Sequence, residues 1–315
     1  MSASDATLPT PVSTGREIDL SPSSRRIGEL VVRGVLGLAA LISVLTTVGI
    51  VASLLLPALE FFAEVSPREF FTGTNWAPLF EPSSFGVVPL IAATFSVTFW
   101  ALLVAIPAGL GTAIFLSEYA SPRTRNVLKP ALEILAGIPT VVYGYFALTA
   151  VTPLLREIGV QVEIFNVLAG GLVMGVMLIP TVASLSEDAM GAVPQALRDG
   201  AYGLGADRFQ VATRVVVPAA FSGIIASFVL AISRAVGETM IVLIAVGQLP
   251  QLTLDPRETV ETLTAFIGAT GNGDVPTGSI EYKTIFAVGL TLFVMTFVMN
   301  VISIRMVRRF REVYD

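Results

Sequence analysis

The sequence predicts an all-α polytopic membrane protein with six transmembrane helices. Three observations carry this expectation. Of 315 residues, 54% are hydrophobic and only 14% are charged, whereas a soluble domain averages about 25% charged residues. Six stretches reach the roughly 20 mainly apolar residues that a membrane helix needs. Lys and Arg gather on alternate loops between those stretches, the pattern of the positive-inside rule. The mean hydropathy, +0.79, agrees. This composition excludes a soluble enzyme, a disordered chain and a nucleic-acid binder with a basic face.

Residues 1–28 read as a disordered cytoplasmic tail, because their first part is rich in Ser, Thr, Pro and Asp and holds no apolar run. A transmembrane domain follows over 29–315. Its spans run at about 34–59, 87–116, 130–154, 164–184, 219–247 and 284–304. Arg16, Arg25, Arg26 and Arg33 precede or open the first span. Arg123, Arg125 and Lys129 follow the second, Arg198, Arg208 and Arg214 the fourth, and Arg305, Arg308, Arg309 and Arg311 the sixth. The other loops hold only Arg68, Arg156, Arg257 and Lys283. That asymmetry places both termini in the cytoplasm. No internal repeat stands out, which weakens an inverted-repeat secondary transporter.

Two absences limit the chemistry. Without Cys there is no disulfide, thiolate nucleophile or Cys-ligated metal, and without His there is no imidazole catalysis. The sequence therefore points to no catalytic residue, no metal and no cofactor. Its net charge of −5 says little by itself.

The long cytoplasmic loop, 185–218, is the first candidate site. Ser184-Leu-Ser-Glu187 has capping-box spacing for a helix start. Val193, Ala196, Leu197, Ala201 and Leu204 recur at helical spacing, Gly203-Leu-Gly205 breaks the pattern, and Asp207 can cap a second short helix. Such an amphipathic helix either lies on lipid headgroups or docks a cytoplasmic partner.

The second site is in span five, Ser233-Arg234-Ala-Val-Gly237-Glu238-Thr239-Met240. A charge at the bilayer centre costs about 2.5–3.5 kcal/mol on insertion scales, so Arg234 should face protein or water. Arg234 and Glu238 lie four apart, within pairing reach on one helix face. They form either a structural ion pair or a polar gate in an anion pathway, with Gly237 leaving room for a helix or ligand. In span three, Gly137 and Pro139 either kink the helix or open it to a pathway lined by Thr140 and Tyr143. Glu133 reads as a solvated end residue. The outer acids Glu60, Glu64, Glu69, Glu81, Asp255, Glu258, Glu261, Asp274 and Glu281 read as a solvated surface, and Trp76 and Trp100 as interfacial.

These residues also carry a resemblance. Asp199-Gly200-Ala201, three residues, Gly205, nine residues and Val215-Val-Val-Pro218 resemble the EAA loop of ABC-importer permeases in register, with Asp199 and Gly200 replacing Glu and Ala. Arg234-Ala-Val-Gly-Glu238-Thr-Met and Ile134-Leu-Ala-Gly137-Ile-Pro139-Thr-Val-Val-Tyr143-Gly144 are similar to segments of the phosphate-specific ABC permeases. Phe70-Phe-Thr-Gly73-Thr-Asn-Trp76, Phe85-Gly86 and Met240 resemble their C-type subunit.

The resemblance implies a type I importer bundle in the bacterial plasma (inner) membrane. Asp199, Gly200, Ala201, Gly205, Val215 and Pro218 would couple to a dimeric ATP-binding subunit. Arg234, Glu238, Gly237, Thr239, Thr140 and Tyr143 would line the path of inorganic phosphate. It further implies an A-type permease subunit and an extracytoplasmic phosphate-binding protein as partners, beside the lipid bilayer and without nucleic acid. The chain holds no Gly-x-x-x-x-Gly-Lys loop, so ATP is expected on another polypeptide. The competing expectations are a permease for sulfate or molybdate, a self-sufficient secondary transporter or channel, and an intramembrane enzyme.

Overall fold

A computed structural model of the chain describes residues 26–309, with side chains over 28–305. The expected tail therefore lies almost wholly outside the described residues, and helix begins at Arg26. The described elements are helical apart from one two-stranded hairpin.

The chain divides into two units at Ala52. Within the first unit, the described residues form the opening turns of α1 (Arg26–Glu64), and every side chain from 28 to 50 is exposed. The second unit holds the end of α1, α2 (Pro67–Thr72), the hairpin β1 (Trp76–Ala77) and β2 (Ser84–Phe85), and α3 (Val88–Ile114), which runs on through a π-helical turn to Tyr119. Next come α4 (Pro122–Gly137), α5 (Thr140–Phe146), a π turn and α6 (Thr152–Glu157). α7 (Val167–Gly191) leads to α8 (Gln195–Gly203), α9 (Arg208–Val211), a π turn and α10 (Val217–Ala219). α11 (Phe221–Val236), a further π turn at Val242–Val246, α12 (Leu263–Gly271) and α13 (Ile280–Arg309) complete the order.

Four helices are long and apolar enough to cross a membrane, and six spans result if each of two sharply bent pairs counts as one. The centre is the α3–α7 pair. A Cβ on Gly171 would come 2.7 Å from the Trp100 Cβ, and one on Gly175 would come 2.7 Å from the Ala101 carbonyl. Small residues thus let these backbones approach closely, the usual device where apolar lipid gives helices no hydrophobic reason to associate. Asn166, fully buried, starts α7 by accepting from Ala169 N at 2.7 Å and donating to Thr152 Oγ1 at 3.2 Å.

Three sequence expectations are corrected here. The third apolar run is not one kinked helix over 130–154. It breaks by 87° at Ile138-Pro139, where both residues are extended. A residue before proline is pushed out of the helical region by the ring. α4 buries no residue, and Glu133 is exposed on it, as expected of a solvated residue. Thr140–Glu157 supplies the apolar length instead. Secondly, Ser184–Glu187 does not start a helix. α7 runs through it to Gly191, and α8 starts after Pro194, so the loop expected from 185 opens later. Thirdly, Trp76 is fully buried rather than interfacial. It sits in an aromatic cluster with Phe61, Phe70 and Phe85, its ring edge-on to Phe266 at 4.9 Å. Trp100 is partly buried against the central core.

Candidate functional site

The first site forms where α11 ends. Val236 closes the helix, Gly237 leaves it, and helix resumes at Met240. The Glu238 carboxylate explains the restart. Its Oε1 accepts from Met240 N at 3.1 Å and Ile241 N at 3.2 Å, which satisfies amides that a helix start leaves unpaired. The Glu238 carbonyl accepts from Thr264 Oγ1 at 2.6 Å, anchoring the break to α12. Glu238 is buried by these contacts.

The Arg234–Glu238 pair expected from spacing is therefore absent. Four residues apart means one face only on an unbroken helix, and Gly237 breaks this one. Arg234 instead turns to α7 and donates to Thr181 Oγ1 at 3.2 Å. Among the described residues no carboxylate lies within ion-pair distance of it. Gly237 makes no close helix contact. It is exposed, and an added Cβ would meet only Ser233 O at 3.5 Å and Arg234 O at 4.0 Å. Thr239 is half-buried beside the break and donates weakly to Gly237 O at 3.4 Å.

α5 packs on the resumed helix. A Cβ on Gly144 would come 3.1 Å from Met240 O and 3.2 Å from the Ile241 Cα. Its neighbour Tyr143 is buried, donates to Leu135 O at 2.8 Å and lies within the electrostatic reach of Arg234. Thr140 is half-buried at the start of α5, with no hydrogen bond to Arg234. The geometry thus brings Arg234 to Thr181, with Tyr143 within its electrostatic reach, while Glu238 turns away to its capping role.

The second site is the elbow between α7 and α11. α8 carries Asp199, Gly200 and Ala201, and Asp199 accepts from Gln195 Nε2 at 3.1 Å. Gly205 adopts φ +83°, a left-handed conformation that favours glycine and turns the chain out of α8. Asp207 then caps α9 with a reciprocal box to Gln210. Ala201, Val193 and Val216 join an apolar cluster with Met190, Val211 and Ile224. Val215 is half-buried, and Pro218 lies exposed just before the 72° bend that starts α11. Of the residues expected on the apolar face of this loop, Val193 is buried in the chain, while Leu197 is exposed and Leu204 is 90% exposed, as are Tyr202 and Phe209.

Sequence reasoning missed the ionic braces of this elbow. Arg198, 11% exposed, donates to Glu118 Oε1 at 3.1 Å, Val193 O at 2.6 Å and Met190 O at 2.8 Å. It joins α8 to the end of α3 and the end of α7. Glu187, only 1% exposed on α7, pairs with Arg125 and, at 2.9 Å, with Lys129, both on α4. Nearby, Ser186 Oγ and Ser227 Oγ meet at 2.8 Å between α7 and α11. The signal for α4 was present: Arg125 and Lys129 are spaced four apart and share one helix face. Nothing local in the sequence marks their partner.

The family described as "Binding-protein-dependent transport system inner membrane component" matches residues 105–312, which include both sites. The chain belongs to this family. It is 38% identical over 288 residues to the "Probable ABC transporter permease protein YqgH" of Bacillus subtilis, covering 91% of this chain and 93% of that protein. It is 31% identical over 262 residues to the "Phosphate transport system permease protein PstC" of Haemophilus influenzae, covering 77% and 82%. The fold is similar to a chain of a bacterial alginate ABC transporter, with TM-score 0.63 at 16% identity over 90% of this chain and 98% of that one. It is also similar to a chain of the MetNI methionine ABC transporter, with TM-score 0.55 at 18% identity over 72% and 95%.

The permease is thus a polytopic membrane subunit of an ABC importer and not itself an enzyme. ATP hydrolysis belongs to separate subunits, and an importer of this family works with a binding protein.

Proposed function

We propose that this permease is the C-type membrane subunit of an ATP-driven importer of inorganic phosphate. The Arg234 guanidinium carries the reading. It is half-buried within a span, held by a neutral hydroxyl, and within ion-pair distance of no described carboxylate. Guanidinium matches phosphate oxygens bidentately and keeps its charge at any working pH. The name of the Haemophilus relative, a phosphate transport system permease, supports phosphate as cargo.

The proposed cycle uses both sites. The exposed apolar side chains Leu197, Leu204 and Phe209 suit a groove on a dimeric ATP-binding subunit. Arg198 and Glu187 brace the elbow against α3, α4 and α7, so movement of α8 reaches the helix that carries Thr181. A shift of α7 against α11 changes what Arg234 faces and so alternates its access. Thr140, Tyr143 and Thr239 line the path, and Glu238 keeps its shape. The partners would be an A-type permease subunit, the ATP-binding dimer and an extracytoplasmic phosphate-binding protein. The distribution of Lys and Arg among the loops supports both termini lying in the cytoplasm, with the chain spanning a bacterial plasma membrane.

Uptake of labelled phosphate by the reconstituted complex tests the reading. Arg234→Ala and Arg234→Lys should assemble normally and lower uptake, Ala the more. Efficient competition by sulfate or molybdate would reassign the cargo, and flux through the chain without ATP-binding subunits would make it a secondary transporter or channel.

A further inference from the structure

A separate cavity of about 460 Å³ opens near the N-terminal end of α3, whereas Arg198 braces the elbow to its C-terminal end. The hairpin segment, the loop that follows the broken span and α12 surround it. Three aromatic rings, Trp76, Phe80 and Phe266, form its walls with two carboxyl groups, Glu261 and Asp274, and no Lys or Arg lines it.

Two polar groups on this cavity lack partners among the described residues. Glu261 is 6% exposed and its side chain makes no described hydrogen bond or ion pair. The Trp76 Nε1–H is buried without an acceptor. Buried polar groups are normally satisfied, and of these two only the Glu261 carboxyl can be served by a donor entering the cavity, so it is Glu261 that indicates an occupant. Burial alone pushes the Glu261 carboxyl up to about 7, and no neighbouring charge contributes. Asp274 is the only other titratable acid lining the space.

The walls select the class of occupant. Two carboxylates disfavour a free anion. A bare divalent cation would seek six to eight oxygen ligands, and aromatic carbon supplies none. Aromatic faces joined to a carboxylate fit an ammonium or guanidinium on an apolar stem. The surrounding segments supply matching charge, with Glu69, Glu81, Glu258 and Asp274 set against Arg68 and Arg257.

We propose that this cavity receives a lysine or arginine side chain of the extracytoplasmic binding protein, its cation seated among Trp76, Phe80 and Phe266 and paired with Glu261. The identity of the partner rests on the orientation given under Proposed function.

Trp76 makes the site readable, because Trp100 is the only other tryptophan. In a Trp100→Phe background, the full chain in lipid nanodiscs would be titrated with Nα-acetyl-lysine amide and with butylguanidinium. A saturable change in Trp76 emission is expected, and none with Nα-acetyl-norleucine amide or inorganic phosphate. Affinity should rise about tenfold from pH 6 to pH 8, as the ionised fraction of Glu261 rises from roughly a tenth to nine-tenths. Glu261→Gln should abolish the change and the pH dependence. An unaltered response in that variant, a response to norleucine amide, or none to either cation overturns the site.

The partner is tested on the assembled complex. Purified binding protein should bind the Glu261→Gln complex at least tenfold more weakly than wild type, and equal binding overturns the assignment to that protein. If it fails to bind the wild-type complex, the importer reading falls, while the titration still judges the cavity.

Discussion

Arg198→Ala is the sharpest test of how the elbow transmits force. The guanidinium makes charge-assisted bonds to Glu118 and to the Met190 and Val193 carbonyls. Bonds to charged groups contribute about 1.5–3 kcal/mol each, and breaking a buried ion pair from one side costs about 3–5 kcal/mol. These contributions share one residue and do not add, so about 3–5 kcal/mol is the expected loss. The truncation strands the Glu118 carboxylate, which among the described residues keeps only Ser117 Oγ at 2.7 Å. A loss of 3 kcal/mol corresponds to more than a hundredfold in the braced population. The apolar cluster around Val193 and Ala201 remains, so the helix itself should survive. Phosphate uptake and ATP hydrolysis would be measured in parallel on the same proteoliposomes. ATPase activity is expected to persist while uptake per ATP falls at least tenfold, and Glu118→Arg should partly restore it in Arg198→Glu. Unchanged uptake per ATP in Arg198→Ala would refute the reasoning and leave the apolar contacts as the sole transmission.

Further outcomes follow from other residues. Leu204→Ser should leave the stability of the chain within about 0.5 kcal/mol yet weaken copurification of the ATP-binding subunit at least tenfold, because Leu204 covers nothing of its own chain. Gly171→Ala should cost about 1–3 kcal/mol by overpacking, read as a lower melting temperature, since the new Cβ meets the Trp100 Cβ at 2.7 Å. Glu261, raised to about 7 from 4.5, binds its proton more tightly in the folded state. Its contribution to stability is fully present below pH 4.5 and is lost as pH rises through 7, about 3 kcal/mol in all. Melting of Glu261→Gln minus wild type should therefore grow from pH 5 to pH 8, and a flat difference would count against the raised carboxyl.

Much of the architecture is legible because it depends on composition and short-range spacing. Four of the six apolar runs, the Asp207 cap and the Gly205 turn each depend on neighbouring residues, and the structure reproduces them. What fails depends on which backbone stays helical. Ser184–Glu187 has the letters of a helix start, but its Ser186 and Glu187 are buried against α11 and α4, and burial carries α7 through them. Ile138-Pro139 reads equally as a kink or a break, and only the 87° geometry decides. The outer acids look uniform in sequence, yet Glu261 is buried beside a cavity that Trp76, distant in the chain, also lines. The Arg198–Glu118 brace joins residues 80 apart and leaves no local pattern.

The separation of Arg234 from Glu238 bears most directly on transport. A paired arginine must surrender its carboxylate before it can accept an anion, and that exchange of one negative charge for another offers little net attraction. Here Glu238 is committed elsewhere, since its Oε1 caps the resumed helix at Met240 and Ile241. Among the described residues Arg234 keeps only the Thr181 hydroxyl, a neutral group that an anion can displace or join. The two residues then make opposite demands on substitution. Glu238→Gln retains Oε1, so the cap and uptake should both survive it. Glu238→Ala should lose about 1 kcal/mol of cap and lower uptake through the shape of the break. Loss of uptake in Glu238→Gln with an unchanged melting temperature would mean that the charge itself matters, and the gate formed by both residues would have to be restored.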